Sequence, residues 1–583
     1  MRPLKFRFVA LATTGLLLCL VFGCSGGSRA TTTPAPSLVL PLILTGTPTL
    51  SPTLVPSSTP TSPPTATPLP TATSTPTMSA TPIPSPISVW IGPGVPRPLS
   101  QAIVDLMPAR RYVLSDDPTS ADARIGAAAT DGRALATWVY ALVAPFITTD
   151  DGLAWDDVRN AWAGAPSGPW AGRPLLMSEE TLADLKSLLG EPAVGAVVAV
   201  PAAELLDRAW AERPAWAVVP FEALEPRWKV LRLDGASPLD RDLDLDAYPL
   251  VVRLSAAGPD EVLEPLLNAA HIPATNRDEG RMTVVVMTGV TALTRATAWR
   301  MEGKGLTYPA QDIAGWLQAA DITHVSNEVA FDPECGTPNP VQEGVSFCSD
   351  PRYITLLEHI GVDVVEMTGN HIADAGVEHI GTTLDMYVER GWQYFGGGRN
   401  LEDARQAAIF EHNGNTIAFL GCNPAGPRSV WATEERAGAA PCDYGLLYAQ
   451  LAELRAQGAL PIVTLQYWEE DRYDPTPQQV GDFAALVEAG AVIVSGSHAH
   501  HVQGFGFHAG RFIHYGVGNL FFDQMDIMGN RQEFIDRHVF YAGRHVSTEL
   551  LTALLEDWSR PRPMTAQERL ELLQTVFAVS RWE

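Results

Sequence analysis

The sequence predicts an α/β protein with at least two folded domains, and three observations support this prediction. The chain has 583 residues, which is too many for one hydrophobic core. Hydrophobic residues make up 46% of it, which is enough to fill the interior of each domain. From residue 87 onward, strand-like apolar runs alternate with capped helices, a pattern typical of α/β folds.

Residues 1–24 predict a bacterial lipoprotein signal. A basic start with Arg2, Lys5 and Arg7 leads into an apolar run that is too short to span a bilayer. Small residues then precede Cys24, which resembles the bacterial lipobox, in which the cysteine is lipidated. We therefore expect an extracytoplasmic lipoprotein of the cell envelope, held at the membrane by a lipid anchor. An ordinary signal peptide with an incidental cysteine is the alternative.

Residues 25–86 predict a disordered tether. The stretch 31–86 contains 15 prolines and no charged side chain. Its Thr-Pro and Ser-Pro repeats favour an extended, polyproline-like chain that cannot form a core. We expect this segment to act as a semi-rigid stalk between the membrane and the folded domains.

The charge of the chain limits the class of partner. The formal net charge is −26, so the phosphate backbone of a nucleic acid would be repelled, and we expect no nucleic-acid partner. An anionic substrate remains compatible with this charge if a metal ion or local arginines override the overall field.

Four cysteines follow the predicted signal and tether. An even number of cysteines in an exported chain predicts disulfides, and the local pairings are Cys335 with Cys348 and Cys422 with Cys442. A zinc site is the rival interpretation, although no C-x-x-C spacing supports it.

A first α/β domain is predicted over residues 87–278. In "SEETLADLKSLLG", Ser178 is a typical N-cap and Gly190 a typical helix stop. Strand-like runs such as "VGAVVAVP" and "YPLVVRL" surround helices of this kind. The stretch "LVAPFITTDDGLAWDDVRNAWAG" faintly resembles periplasmic solute-binding domains. A packed domain that only supports its neighbour is an equal alternative.

A second α/β domain is predicted over residues 279–583. The plan of helix, glycine and apolar strand occurs three times, in the segments 350–367, 446–470 and 476–500, and we expect Asp350 to be an N-cap and Thr476 and Gln479 to form a capping box. Continuous apolar strands between helices predict a mostly parallel sheet covered on both faces. An antiparallel hairpin that turns at Ala509-Gly510 is expected to follow.

Polar residues follow successive strands of this second domain. Because ligands bind beyond the carboxyl ends of strands in α/β sheets, we expect these residues to converge on one site. They are Glu328, Asn370, His371, Gln466, His498 and His500.

The donor types of these residues suit a borderline divalent metal such as Mn, Fe or Zn. His498 and His500 lie two positions apart, so in an extended segment they would face the same side, and His501 would point away. The alternative for this triplet alone is a polar surface turn. Ten of the thirteen histidines lie between His324 and His514, which favours a metal or phosphate site.

The segment from about Met282 to Met564 resembles the CapA family of bacterial poly-γ-glutamate capsule proteins, relatives of the calcineurin-like metallophosphatases. The resemblance rests on "TGNHIADAG", "QYFGGGRN", "EAGAVIVSGSHAHHVQG" and "GRFIHYGVGNLFFDQ", in that order. It implies a metallophosphatase-like layered α/β sandwich for residues 279–583.

The resemblance also implies a metal-ligand set. By position, Glu328 corresponds to a bridging carboxylate, Asn370 to an amide ligand, and His498 and His500 to two histidine ligands. Gln466 stands where the family has a further histidine ligand.

Four other residues correspond to substrate-handling positions of the family. His371 matches the acid or oxyanion partner of the true phosphatases, and we expect it to be the catalytic residue. Arg295, Arg399 and Asn519 would flank an anionic substrate.

Two departures from the family pattern weaken the predicted site. The family has Gly-Asp at the end of the first strand, but here Gly289 is followed by Val290. Gln466 replaces a histidine. A two-metal site needs a separate ligand shell for each ion. We therefore expect one weakly bound divalent ion, or none, and at most a mononuclear hydrolase or transferase.

Two hypotheses about function follow. The first is an envelope-anchored CapA-like protein that acts on or exports an anionic surface polymer, such as poly-γ-glutamate, or binds a phosphate-containing small ligand. The alternative is a catalytically inactive ligand-binding or scaffold lipoprotein of the cell envelope, which the loss of metal ligands favours.

Overall fold

A computed structural model describes residues 85–109, 111–127 and 132–582. The predicted signal, Cys24 and nearly all of the predicted tether lie outside these residues. Within them, no helix combines the length and the apolar character needed to cross a bilayer.

The first part of the described chain forms one large mixed sheet and a two-stranded ribbon. The large sheet has the order β2-β1-β3-β11-β4-β8-β6-β7, with β9 beside β4, and β5 pairs with β10. The strands are β1 (Ile87–Ile91), β2 (Tyr112–Leu114), β3 (Ala123–Ala127), β4 (Arg133–Pro145), β5 (Gly152–Leu153), β6 (Leu175–Met177), β7 (Val197–Ala199), β8 (Ala217–Pro220), β9 (Trp228–Val230), β10 (Arg232–Leu233) and β11 (Val251–Ala257).

The second part of the chain forms two further large sheets. One has the order β16-β15-β14-β12-β26-β27-β28, with β13 beside β14 and β25 beside β13, and the other has the order β18-β19-β21-β22-β24-β23. The strands are β12 (Met282–Thr288), β13 (Val290–Thr291), β14 (Ile322–Asn327), β15 (Val364–Glu366), β16 (Gln393–Phe395), β17 (Gly397–Gly398), β18 (Ala408–His412), β19 (Asn415–Cys422), β20 (Gly438–Ala439), β21 (Leu460–Gln466), β22 (Ile493–Ser497), β23 (Phe505–His508), β24 (Arg511–His514), β25 (Asn519–Phe521), β26 (Gln532–Tyr541), β27 (Arg544–Glu556) and β28 (Arg560–Pro563).

Helices alternate with the strands in both parts, which confirms the α/β prediction. They are α1 (Arg97–Val104), α2 (Trp155–Trp162), α3 (Glu179–Leu189), α4 (Leu205–Ala211), α5 (Asp260–Ala270), α6 (Arg295–Lys304), α7 (Ala314–Gln318), α8 (Ile354–His359), α9 (Val377–Glu389), α10 (Leu401–Ala404), α11 (Tyr444–Ala456), α12 (Pro477–Ala489), α13 (Met528–Arg531) and α14 (Ala566–Val579).

The two sheets of the second part pack face to face, with helices on their outer faces. Phe395 of β16 meets Phe419 of β19 across the shared core, with ring centroids 5.7 Å apart. Val286 instead belongs to the apolar cluster under α8 and α9, and Val463 to the cluster under α11 and α12. Because side chains alternate between the two faces of a strand, each sheet contributes one face to the core between the sheets and the other face to the core beneath its own helices. The result is a layered α/β sandwich.

The expectation of one mostly parallel sheet is wrong. There are two mixed sheets: β16 to β12 run parallel, but β26, β27 and β28 add antiparallel neighbours. One of these antiparallel pairs, β26 with β27, is a long hairpin that turns at Ala542-Gly543, where both residues have positive φ. A tight turn of this kind joins only antiparallel strands.

The predicted helix starts are present, with one difference. Ser178, Asp350 and Thr476 each accept a hydrogen bond from a backbone N–H of the first turn. The expected capping box at Thr476 is incomplete, because the Gln479 side chain donates to Gln503 and to the Tyr515 carbonyl instead. A tertiary contact therefore takes the amide that a local cap would use.

The structure pairs Cys335 with Cys348 and Cys422 with Cys442. The hairpin expected at Ala509-Gly510 joins β23 to β24. Contacts group residues 83–583 into one compact unit. Strand pairing of the large sheets nevertheless stays within 87–257 or within 282–563, so the division at residue 278 stays a prediction.

Candidate functional site

Four strands of the two facing sheets end at the same place. Glu328 directly follows β14, and Asn370 comes four residues after β15. Gln466 is the last residue of β21, and His498 directly follows β22. Because these strands run parallel within their sheets, their carboxyl ends lie along one edge of the sandwich.

The predicted ligands form one connected cluster. Gln466 Nε2 donates to Glu328 Oε1 over 2.9 Å and to Asn370 Oδ1 over 3.0 Å. One ligand atom from each of Glu328, His498 and His500 lies within 4.8 Å of the others, and all three residues are buried. Among the described residues, no other group of three His, Cys, Asp or Glu side chains meets this criterion.

Both ligand histidines are held in the tautomer that a metal requires. His498 Nδ1 donates to the Tyr467 carbonyl over 2.6 Å, and His500 Nδ1 donates to Asn519 Oδ1 over 2.8 Å. The Asn519 amide nitrogen in turn donates to the Asn530 carbonyl. With the proton on Nδ1, Nε2 of each ring carries the lone pair that binds a cation.

The backbone is adapted to this arrangement at two points. His498 has a φ of +72°, a left-handed conformation that is uncommon outside glycine. The expectation of an extended H-x-H segment is therefore wrong, although both rings still reach the cluster. At Gly369, a Cβ atom would lie 2.8 Å from Glu328 Cα, so only glycine lets this backbone approach the carboxylate.

The electrostatics of the cluster suit a cation. Burial raises the pKa of Glu328, but the imidazoles of His500 and His498 outweigh this effect, and the net pKa lies below its usual value. Burial also lowers the pKa of His498. Glu328 Oε2 is buried without a hydrogen-bond partner among the described residues. A buried carboxylate oxygen without a partner is costly unless a cation compensates it.

His371 lies beside this cluster and bonds to a carboxylate of its own. Its Nδ1 donates to Asp374 Oδ2 over 2.7 Å, and the same oxygen accepts the Phe347 backbone N–H. Burial lowers the pKa of His371, but Asp374 and the charge of Glu328 outweigh it, so the net pKa is raised. His371 can therefore hold a proton near neutral pH.

Arg295 is close to the cluster but already paired. Its guanidinium forms an ion pair with Asp523 and lies over the rings of Phe347 and Phe522, 4.7 and 4.8 Å from their centroids. Phe522 also packs against His500, with ring centroids 5.1 Å apart. Arg295 therefore packs into the wall of the site, and Asp523 largely balances its positive charge.

The other two predicted substrate-flanking residues have different surroundings. Asn519 lies behind His500 and orients its ring, as described above. Arg399 bonds to the Gly381 carbonyl and to Asp385, both on α9. No contact among the described residues links Arg399 to the cluster of Glu328.

Val290 and Gln466 occupy the two positions at which we expect the chain to depart from the family pattern. Val290 is fully buried, and strand register places it between Ser326 of β14 and Asn519 of β25. An aliphatic side chain therefore stands beside the cluster at the position where the family has a carboxylate. Gln466 presents its NH₂ to Glu328 and Asn370, and a group that donates both hydrogens has no lone pair for a metal. The Gln466 carbonyl oxygen accepts from Ser497 over 3.4 Å, and its assignment as a metal ligand stays a prediction.

His501 turns away from the cluster, as expected. It is buried against Tyr473, with ring centroids 4.3 Å apart, and its Nδ1 bonds to the Val502 carbonyl. The ring fills the space beside Gly529, where a Cβ would come within 1.9 Å of it. His501 therefore has a packing role in this structure.

An open cavity of about 420 Å³ adjoins the site on the side of Arg295. Arg295 is the single basic residue of its lining, and the four acidic ones are Glu469, Asp471, Asp523 and Asp526. A polyanion therefore meets repulsion here unless cations are bound.

Three contributors to the site were missed from the sequence. Asp523 pairs with Arg295, Asn530 accepts from Asn519 with its carbonyl, and the Tyr467 carbonyl orients His498. Two of these contributions come from backbone carbonyls, which no side-chain pattern reveals. Asp523 lies in "GNLFFDQ", one of the quoted segments, and its acidic side chain was the available signal.

These donors fit one divalent ion. Two imidazoles and one carboxylate make the three-residue set common in catalytic metal sites, which leaves a position open. A second ion has no comparable set, because Val290 offers no donor and Gln466 presents its NH₂.

Residues 284–524 match the family described as "Bacterial capsule synthesis protein PGA_cap". The "Capsule biosynthesis protein CapA" of Bacillus anthracis is 24% identical over 261 residues, which are 44% of this chain and 63% of that protein. The "PGA biosynthesis protein CapA" of Bacillus subtilis (strain 168) is 27% identical over 172 residues, which are 29% of this chain and 45% of that protein. The match thus spans less than two thirds of either relative.

Among solved structures, an ABC-type phosphate transport receptor from Vibrio cholerae aligns with 32% of this chain and 94% of its own. The sequence identity is 11% and the TM-score 0.27. A score at this level does not establish a shared fold, so the resemblance of residues 87–278 to solute-binding domains stays a prediction.

Proposed function

Since residues 284–524 belong to the PGA_cap family of bacterial capsule synthesis proteins, we propose that this protein acts on or exports an anionic surface polymer, such as poly-γ-glutamate. The observation that carries this proposal is the buried cluster of Glu328, His498 and His500 within the matched segment. Among the described residues there is no second set of such donors, so the proposed activity is that of a mononuclear hydrolase or transferase.

We propose that Glu328, His498 and His500 hold one divalent ion, Mn, Fe or Zn. The buried Glu328 Oε2 and the Nδ1-protonated tautomers of both rings support this assignment. When bound, such an ion supplies Lewis-acid polarisation of a carbonyl or phosphoryl oxygen.

The residues of the chain have separate tasks in this proposal. His371, protonated on both nitrogens and oriented by Asp374, would donate a proton from Nε2 to the leaving group. Phe347 and Phe522 exclude water on one side of the site, since both are buried beside His371 and His500.

The acidic cavity makes binding of a polyanion dependent on cations. Its carboxylates outnumber Arg295, whose charge Asp523 already balances. We therefore expect the polymer to bind only when a divalent ion is present.

Binding of the full-length chain to poly-γ-glutamate, with dextran as the neutral control, tests the function. We expect saturable binding in Mn²⁺ that disappears in EDTA and in the His498→Ala/His500→Ala variant. The matched control is His508→Ala, because His508 pairs with Glu488 on the surface instead. Binding that is equal in the double variant, or equal for dextran, would overturn the proposal.

The alternative is an inactive ligand-binding or scaffold lipoprotein, and the donor orientation of Gln466 and the aliphatic Val290 favour it. Polymer length after incubation distinguishes the two functions. Shortened or transferred chains that require His371 support the enzyme, whereas binding without any change in length supports the alternative.

We also propose that the protein is anchored in the cell envelope by lipidated Cys24. The lipobox-like sequence before Cys24 and the two disulfides, which are typical of exported proteins, support this location. A Cys24→Ser variant is expected to lose both incorporation of labelled fatty acid and membrane sedimentation. Incorporation that persists in this variant would contradict the proposal.

A further inference from the structure

A second cavity lies away from the cluster of Glu328, between the two parts of the chain. Its volume is about 360 Å³, within the range of small-molecule pockets. Strands β9 and β10 of the first part form one wall, and β27 and α14 of the second part form another.

The lining of this cavity is rich in positive charge. It contains four basic side chains, Lys229, Arg232, Arg537 and Arg569, and two acidic ones, Asp151 and Glu549. Asp240 does not line the cavity but accepts two hydrogen bonds from Arg232. If Asp240 is counted as well, the basic side chains still outnumber the acidic ones by one. In a chain with a net charge of −26, this is a local reversal of sign.

Lys229 is the basic residue with a donor to spare. Its Nζ lies 2.7 Å from Asp151 Oδ1 and donates to the Thr148 carbonyl over 2.8 Å. An ammonium group has three N–H bonds, so one of them has no partner among the described residues. Burial lowers the pKa of Lys229, and a further anion nearby would offset that effect.

Arg569 completes a cationic wall next to Lys229. Its Nε and Nη2 each lie 2.8 Å from an oxygen of Asp151, which is therefore shared between the two bases. Its Nη1 donates to the Leu550 carbonyl, which fixes the guanidinium against β27. Asp151 thus carries one negative charge against two fixed positive charges.

Apart from Thr548 and Thr552, the rest of the lining is apolar. Phe146, Leu573 and Phe577 form one side, and Phe146 and Phe577 pack against each other with ring centroids 6.1 Å apart. A ligand for this cavity therefore needs an anionic end and a hydrocarbon body. An inorganic anion would leave the apolar side uncovered, and a cation would be repelled.

We propose that this cavity binds a small organic anion, a monocarboxylate whose carboxylate meets Lys229 and Arg569 and whose apolar body lies against Leu573 and Phe577. The site is separate from the Glu328 cluster and does not depend on the polymer-related function. It joins both parts of the chain, so occupancy would stabilise their contact.

Titration calorimetry on the full-length chain in EDTA tests the assignment with three probes. We expect hexanoate to bind at least tenfold more tightly than hexylamine, which has the same body and opposite charge. The same margin is expected over inorganic phosphate, which lacks the body. Equal affinity for the three probes, or no hexanoate binding, would overturn the proposal, and this comparison needs no variant.

Two variants then locate the ligand. Lys229→Met is expected to weaken hexanoate binding at least tenfold, and Leu573→Trp, which fills the cavity, to abolish it. Lys186→Met is the matched control, because Lys186 pairs with Glu191 at the surface, and His498→Ala/His500→Ala controls for the other site. Unchanged binding in a folded Leu573→Trp protein, or lost binding in either control, would place the ligand elsewhere.

Discussion

The side-chain amide of Gln466 donates to Glu328 Oε1 over 2.9 Å and to Asn370 Oδ1 over 3.0 Å. Each bond takes up an oxygen that could otherwise bind a metal. The carboxylate keeps Oε2 for an ion, together with the rings of His498 and His500. Gln466 thus meets the cluster as a hydrogen-bond donor.

Restoring both family residues is expected to create a second metal position. The variant Val290→Asp/Gln466→His should bind about two equivalents of Mn²⁺ where the parent binds one, because each ion then has its own ligands. Elemental analysis after gel filtration measures this ratio. The uncharged control Val290→Asn/Gln466→His should stay near one. A ratio of one in both variants would contradict the inference.

The orientation of His500 should matter as much as its presence. His500→Ala removes a ligand and is expected to abolish stoichiometric metal binding. Asn519→Ala removes only the acceptor of the ring N–H and is expected to weaken the affinity about 10–100-fold. Competition with a chelating dye measures both affinities. An unchanged affinity in Asn519→Ala would show that the ring is held by other contacts.

The backbone of Gly369 lies so close to Glu328 that a larger residue at this position is expected to disrupt the site. In Gly369→Ala the new methyl group would overlap Glu328, so metal binding should fall and the free energy of unfolding should drop by about 1–3 kcal/mol. Gly315→Ala is the matched control, because a Cβ there meets no atom within 4 Å. Thermal melts with and without metal measure the effect. Equal stability of both variants would contradict this prediction.

The buried carboxyl group of Asp184 is expected to make the stability of the protein depend on pH, independently of the Glu328 cluster. Burial raises the pKa of Asp184 to about 6, although the hydrogen bond from Tyr140 opposes this. The unfolded value is about 3.9, so the folded protein binds more protons between pH 4 and 6, and stability falls as pH rises through that window.

Asp184→Asn removes this titration and keeps an oxygen that can accept from Tyr140. The variant is expected to be more stable than the parent by up to about 3 kcal/mol at pH 7 and to lose that advantage near pH 4. Denaturant unfolding at several pH values measures the difference. Asp207→Asn, at an exposed carboxylate, should show neither effect. A gain that is independent of pH would contradict the assignment.

The disulfide between Cys422, at the end of β19, and Cys442 should stabilise the folded protein. It closes a loop with a sequence separation of 20 residues, so the chain-entropy relation gives a loss of about 3 kcal/mol when it is removed. Cys422→Ser/Cys442→Ser should unfold at lower denaturant concentration than the parent. Reduction of the parent also opens Cys335–Cys348, so its fall should be at least as large, and no fall in the variant would contradict the prediction.

Several features were predictable because their causes lie close together in the sequence. Ser178, Asp350 and Thr476 cap helices through backbone N–H groups two or three residues away. The hairpin at Ala509-Gly510 needs only two residues with positive φ. Convergence of Glu328 with the histidines followed from a general property of parallel strands, whose carboxyl ends share one edge.

The sequence by itself determined the α/β class, the helix caps, the hairpin turn and the residues that gather at the strand ends. Only the tertiary structure decided that two sheets face each other. It also decided that the Gln479 side chain bonds to Gln503 and Tyr515 instead of completing the capping box, and that Gln466 contacts Glu328 through its nitrogen. The cationic cavity beside Lys229 belongs to the same class, since its walls lie more than 300 positions apart. The physical reason is the separation along the sequence. The hydrogen bonds of a turn or a cap are formed within a few residues, whereas these contacts depend on how distant segments pack.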